Sequence, residues 1–137
     1  MMGTLEEAKE FFYKDNYAVL SDIEIDEISE DHVRCSMKIS DKHRNAYGGI
    51  MGGSIYTLAD FAFAVASNFS KENLTVSLVG QASFLNMSKG SVLYADTKLI
   101  KDGRTNCFYE VMISDDTGRD IAAVSFTGAH VDRKLNA

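Results

Sequence analysis

Residues 52–68 read GGSIYTLADFAFAVASN, and Asp60 is the only charged side chain among them. A helix without a polar stripe is a buried helix. This stretch therefore predicts a central helix, running to about residue 69, with the rest of the chain built around it. Burying a lone carboxylate costs roughly several kcal/mol unless it is paired or hydrogen-bonded. A sequence that keeps one there either satisfies the charge locally or uses it.

The flanking sequence has other periods. Leu5, Ala8, Phe11 and Phe12 recur at helical spacing, which predicts a short amphipathic helix over 4–14. Val19, Ile23, Ile25 and Ile28 then suggest a first strand, and Val33, Cys35, Met37 and Ile39 alternate as a second. A polar, glycine-containing loop spans 41–49, and four strand-like segments follow the central helix at about 74–85, 90–101, 104–114 and 119–131. Lys101-Asp102-Gly103 and Asp115-Asp116-Thr117-Gly118 are hairpin signals with alternating residues on both sides. The chain has no proline, which removes the usual markers of turns and edge strands. A four-strand meander with one apolar face needs a cover, and the long helix is the candidate. The expectation is an α+β fold: one domain over 1–137, a curved antiparallel sheet wrapped around one central helix.

A formal net charge of −6 speaks against nonspecific nucleic-acid binding. No basic run suggests an anionic membrane surface, and no apolar segment is long enough to span a bilayer. The acidic, amphipathic start lacks the features of a secretory signal. Cys35 and Cys107 fit no metal or redox spacing and read as reduced core thiols. The expected compartment is the cytoplasm.

Asn45-Ala46-Tyr47-Gly48-Gly49-Ile50-Met51-Gly52-Gly53 leads from the polar loop into the helix. The first amides of a helix lack internal acceptors and carry the positive end of its dipole. Glycines there let a ligand approach the backbone, which suits a phosphate or a developing oxyanion. The same glycines would equally let the helix pack closely on the sheet. The segment matches neither a Walker loop nor a dinucleotide fingerprint. Asp60 lies eight residues after Gly52, about 12 Å of rise on one helix. If both act on one substrate atom they must come from two subunits related by a two-fold axis, which gives two equivalent sites. Otherwise Asp60 is held by polar groups of a neighbouring strand or sits at an exposed helix edge.

His32, His43 and His130 are scattered, with no metal-ligand spacing. His32 reads as a solvated turn residue. Lys101 and Arg104, with Lys89 in the preceding turn, would bind a phosphate tail if they share one sheet end, or else are solvated hairpin tips.

The run His43-x-Asn45-x-x-Gly48-x-x-Met51-Gly52-Gly53, followed by Leu58-Ala59-Asp60, resembles the hotdog-fold acyl-CoA thioesterases of the phenylacetate-degradation type. The spacing matches that family's H-x-N-P-x-G-x-x-H-G-G and L-A-D without a gap. Three positions depart: Met51 stands for the histidine before Gly-Gly, Ala46 for the proline after asparagine, and Met87 for a later proline. Met51 matters most, because a thioether neither titrates nor donates a strong hydrogen bond.

The resemblance implies hydrolysis of an acyl-CoA to a free acid and coenzyme A at a dimer interface. It implies no metal and no cofactor, with coenzyme A arriving as part of the substrate, and homodimers that pair into homotetramers. It implies that the Gly52 amide polarises the thioester carbonyl with help from Asn45. Asp60 of the opposite subunit would act as general base or nucleophile, and Thr75 would orient the water. His130 matches a histidine of some relatives. His43, Tyr47, Met51, Gly53, Tyr56, Phe61, Lys101, Arg104 and His130 are the expected substrate contacts, with Phe63 and Phe84 also lining the pocket. Two other readings share the fold. A noncatalytic acyl-CoA-binding or sensing module is kept open by Met51, though a sensor would often have lost Asp60 as well. A dehydratase is disfavoured by Val65, which stands where such chemistry typically has a histidine.

Overall fold

The computed structural model describes residues 2–135. Helix α1 (Leu5–Phe12) begins where Thr4 Oγ1 accepts the amide of Glu7 at 3.1 Å. A second short helix, α2 (Asn16–Leu20), is capped by Asp15, whose carboxylate accepts from the amides of Tyr17 and Ala18. This helix corrects the first-strand reading: Val19 lies in α2 and is exposed, and β1 covers Ile23–Ile28 only. The cap and the positive φ of Asp22 turn the chain before the strand can start.

Strand β2 (Val33–Lys38) and a single 3-10 turn (Asp41–His43) precede the long helix α3 (Gly52–Asn68). Helix α3 ends where Ser70 takes a left-handed φ of 60°. Strands β3 (Asn73–Phe84), β4 (Val92–Asp102), β5 (Asn106–Asp115) and β6 (Asp120–Lys134) complete one six-stranded antiparallel sheet. Its order is β1-β2-β4-β5-β6-β3. The sheet wraps around α3 in the hotdog arrangement.

The order corrects the four-strand meander. Of these four strands only β4, β5 and β6 are sequential neighbours; β3 pairs with β6 and β4 pairs with β2. The segment 85–91 therefore carries the chain across the sheet, from one edge to an inner position, and α3 lies inside that crossing.

The buried face of α3 presents Ile55, Leu58, Ala59, Ala62 and Val65. It meets inward residues such as Cys35, Met37, Leu93, Val111, Ile113 and Val124, all 0–1% exposed. Each fully buried aliphatic side chain contributes about 1.5–3 kcal/mol, so this layer is the main source of stability. Both cysteines are buried and free, and burial raises the Cys35 thiol pKa. No helix among the described residues is long and apolar enough to cross a membrane.

The two sheet edges differ. Edge strand β1 carries Glu24, Asp26 and Glu27 on its exposed positions and a bulge, as protected edges do. Edge strand β3 and its continuation, residues 73–88, carry no charge. Leu78, Val79, Phe84, Leu85 and Met87 are exposed there.

Candidate active site

The loop before α3 is held by its own asparagine. Asn45 Oδ1 accepts from the amides of Tyr47 (2.9 Å) and Gly49 (3.1 Å), while the Asn45 amide donates to Gly49 O at 2.8 Å. Gly48 has a φ of +86°, which a side chain would strain, and its carbonyl accepts from Arg44 Nη1 at 2.9 Å. The turn leaves the Asn45 carboxamide N–H₂ without an acceptor among the described residues.

Helix α3 has no side-chain cap: its N-cap is Met51. The Gly52 and Gly53 amides therefore reach the loop unpaired. Phe84 lies flat beside Gly52, where a Cβ would come 3.0 Å from Phe84 Cζ. Together these groups border a cleft of about 740 Å³, lined by Asn45, Tyr47, Gly52, Ile55, Phe84 and Met87 among others. Its walls are mostly apolar, and Arg44 is its one charged lining residue. Met51 is 55% exposed at the mouth of the helix, with its thioether beside Gly53.

Asp60 sits mid-helix, half-buried, with no hydrogen bond or ion pair among the described residues. Burial, and secondarily the charge of Asp15, raises its pKa above the ordinary carboxylate value. A half-buried carboxylate with no protein donor is open to a proton from solvent or ligand. The eight residues from Gly52 span about 12 Å of rise, so one protomer does not bring both groups to one atom.

Several expected site residues are placed elsewhere in the chain's own fold. His43 is 2% exposed and fully bonded: Nδ1 accepts from the Ser40 amide at 3.0 Å and Nε2 donates to Ser21 O at 2.8 Å. It ties the 3-10 turn to the end of α2 and has no nitrogen left for a substrate. His43→Ala should cost about 2 kcal/mol through two lost buried bonds while leaving KM unchanged, which chemical denaturation and steady-state kinetics would show. Phe61 is 3% exposed and packs edge-on against Phe12 with centroids 6.3 Å apart. Phe63 is stacked on Phe126 at 4.7 Å. Both rings are core, roughly 13–16 Å of helix rise beyond Gly52 and the cleft.

Thr75 is 4% exposed. Its backbone is clamped by the Asn68 side chain at 2.8 and 3.1 Å, roughly 12 Å of helix rise beyond Asp60. Its hydroxyl lies 2.7 Å from His130 Nδ1, and His130 Nε2 lies 2.8 Å from Asp102 Oδ1. Thr75 is thus the end of a Thr75–His130–Asp102 chain, away from Asp60 of the same chain. Ser77, two residues on, is exposed on the same face beside a bulge. No sequence pattern marked Asn68 as the clamp on Thr75 or Asp102 as the partner of His130. His32 is not simply solvated either: Nε2 lies 2.8 Å from Asp96, which also pairs with Arg34.

Lys101 and Arg104 are exposed at the β4–β5 turn, beside the His130 end of β6. Lys89 is at the other end of β4, near the cleft, so the three do not form one cluster. Within a protomer, Lys101 and Arg104 are about 30 Å from the cleft.

Residues 47–122 match the family described as the Thioesterase superfamily. The chain is 30% identical over 125 residues to a candidate esterase of Archaeoglobus fulgidus, across 90% of this chain and 80% of that relative. Its structure is similar to a hypothetical thioesterase of Streptococcus pneumoniae solved with coenzyme A, with TM-score 0.81, 25% identity, and coverage of 91% of this chain and 98% of that one. In fold it is also similar to the E. coli PaaI protein from the phenylacetic acid degradation operon, with TM-score 0.85, 20% identity, and coverage of 96% and 99%.

Proposed function

Because this chain belongs to the thioesterase superfamily, we propose that it hydrolyses an acyl-CoA thioester to a free acid and coenzyme A, at two sites shared between two copies of the chain. The observation that carries this is Asp60, an unpaired carboxylate with a raised pKa on the same helix as the free Gly52 amide, yet out of its reach. A two-fold axis at the level of Tyr56, midway between residues 52 and 60, resolves that separation. It sets Asp60 of one copy beside Gly52 of the other.

The uncharged β3 edge supports the same axis. Tyr56 lies over Gly80 of β3, so an axis at that level pairs β3 with its own copy, antiparallel, and covers Leu78 and Val79. It also brings Lys101, Arg104 and His130 of each copy towards the cleft of the other. There they suit the phosphates of coenzyme A. The coenzyme A held by the S. pneumoniae relative supports that ligand class.

Water attacks the thioester carbon while Asp60 takes one of its protons. The Gly52 amide and the Asn45 carboxamide hydrogen-bond the carbonyl oxygen as it gains negative charge. The tetrahedral intermediate then expels the coenzyme A thiolate, which receives the proton from Asp60. No cofactor takes part. We assign the chain to the phenylacetate-degradation type on the spacing from Asn45 to Asp60, with aryl or medium-chain acyl groups on the apolar cleft walls. We further assign it a homotetramer of two such dimers and a cytoplasmic setting, where Cys35 and Cys107 stay reduced.

The test is coenzyme A release from a panel of aryl and aliphatic acyl-CoAs. Turnover on any of them supports the reading. Acyl-CoA binding without turnover supports a noncatalytic binding module instead, with Met51 as the cause. Val79→Lys places a charge on the β3 edge; it should convert the dimer to monomer and remove turnover together, read by light scattering and the same assay. A fully active monomer would sink the shared site.

A further inference from the structure

The Tyr56 side chain is placed at a cost to the strand beneath it. A Cβ on Gly80 would fall 1.9 Å from Tyr56 Oη and 2.8 Å from its Cζ. Glycine inside a strand weakens it and marks a close approach, and here the closest approach is to the hydroxyl itself. The ring also rests on Phe126, with centroids 5.6 Å apart, so a phenylalanine would keep the same packing with less crowding. Packing alone therefore does not account for the oxygen.

That oxygen has no hydrogen-bond partner among the described residues. No buried side-chain nitrogen or oxygen among them is left unsatisfied, so the hydroxyl is open to solvent or ligand. Asp60 shares both properties and lies one helical turn further on, where side chains four apart are neighbours. Burial, and then the Asp60 charge, pushes the phenol pKa up, which keeps it protonated and neutral.

Resting on the hydrolysis described above, we propose that Tyr56 is a further catalytic residue, whose hydroxyl holds the attacking water together with Asp60. The water gives one proton to Asp60 and hydrogen-bonds Tyr56 Oη with the other. A lone pair on the water is then directed at the thioester carbon. Tyr56 exchanges no proton; it restricts the orientations of the nucleophile, and Gly80 is the clearance that lets the hydroxyl sit there. Binding of the acyl-CoA itself does not depend on it.

Tyr56→Phe removes only the oxygen and keeps the ring on Phe126. Steady-state kinetics on the best substrate of the acyl-CoA panel, with wild type and Asp60→Asn alongside, give the test. A kcat lowered by about tenfold or more at unchanged KM supports the proposal. A Tyr56→Phe enzyme with wild-type kcat, beside an inactive Asp60→Asn, overturns it and leaves the hydrolysis reading standing. A raised KM at wild-type kcat also overturns it, making Tyr56 a substrate contact. A wild type inactive on every thioester overturns the hydrolysis reading and this one with it.

Discussion

Asp60→Asn should lower kcat by roughly a hundredfold to ten-thousandfold, the usual contribution of a positioned general base, with the oligomeric state unchanged. Asparagine keeps the volume and one carbonyl oxygen but cannot take the proton of the attacking water. The sign of the accompanying stability change separates this from simple unfolding. The folded-state pKa of Asp60 is raised, by burial first and by Asp15 second. Such a group favours folding most below its unfolded pKa, and that contribution is lost as pH rises through the folded value. At neutral pH the charged carboxylate is thus a burden on the fold, and Asp60→Asn should melt at the same temperature as wild type or higher. Loss of activity with a lowered melting temperature would point to a structural role. In the wild type, activity should fall on the acid side through a pKa above the ordinary carboxylate range, in a kcat–pH profile.

Asp115→Ala should be the most destabilising single substitution of a turn residue in this chain, by about 3 kcal/mol or more. Asp115 is 2% exposed. Its two oxygens accept from Ser88 Oγ (2.8 Å), Thr117 Oγ1 (2.6 Å) and the amides of Lys89, Gly90, Thr117 and Arg119. One carboxylate thereby fixes the β5–β6 turn and the end of the crossing segment that lines the cleft. Burial alone would raise its pKa, but the bonds from Thr117, Ser88, Arg119 and Lys89 outweigh it and hold it well below the usual range. The contribution is present above the unfolded pKa of about 3.9 and is lost as pH falls through the depressed folded value. Asp115→Asn should be nearly as harmful, because its N–H₂ would face donors. Thermal melts at neutral pH check both; an Asp115→Asn protein as stable as wild type would show that the charge is unimportant.

The legibility of the site followed from the range of its interactions. Asn45 and the free glycine amides are local: the asparagine bonds amides two and four residues away, and a helix start exposes its amides wherever it occurs. Asp60 stood out because seventeen residues held no other charge. The surroundings of Thr75 and His43 are not legible in the sequence for the opposite reason. Their partners are 55 and 22 residues away, and sequence spacing says nothing about which hydroxyl a distant imidazole meets.

The fold divides in the same way. Period and turn chemistry determined the central helix, the β4–β5 and β5–β6 hairpins and the separation of Gly52 from Asp60, since rise per residue is the same in any helix. Only the tertiary structure decided that β3 pairs with β6 at the far edge and that Gly80 accommodates Tyr56. Hairpin pairing is set by a few adjacent residues, whereas the choice of a distant strand partner depends on which apolar faces α3 can cover at once, a property of the whole packed core.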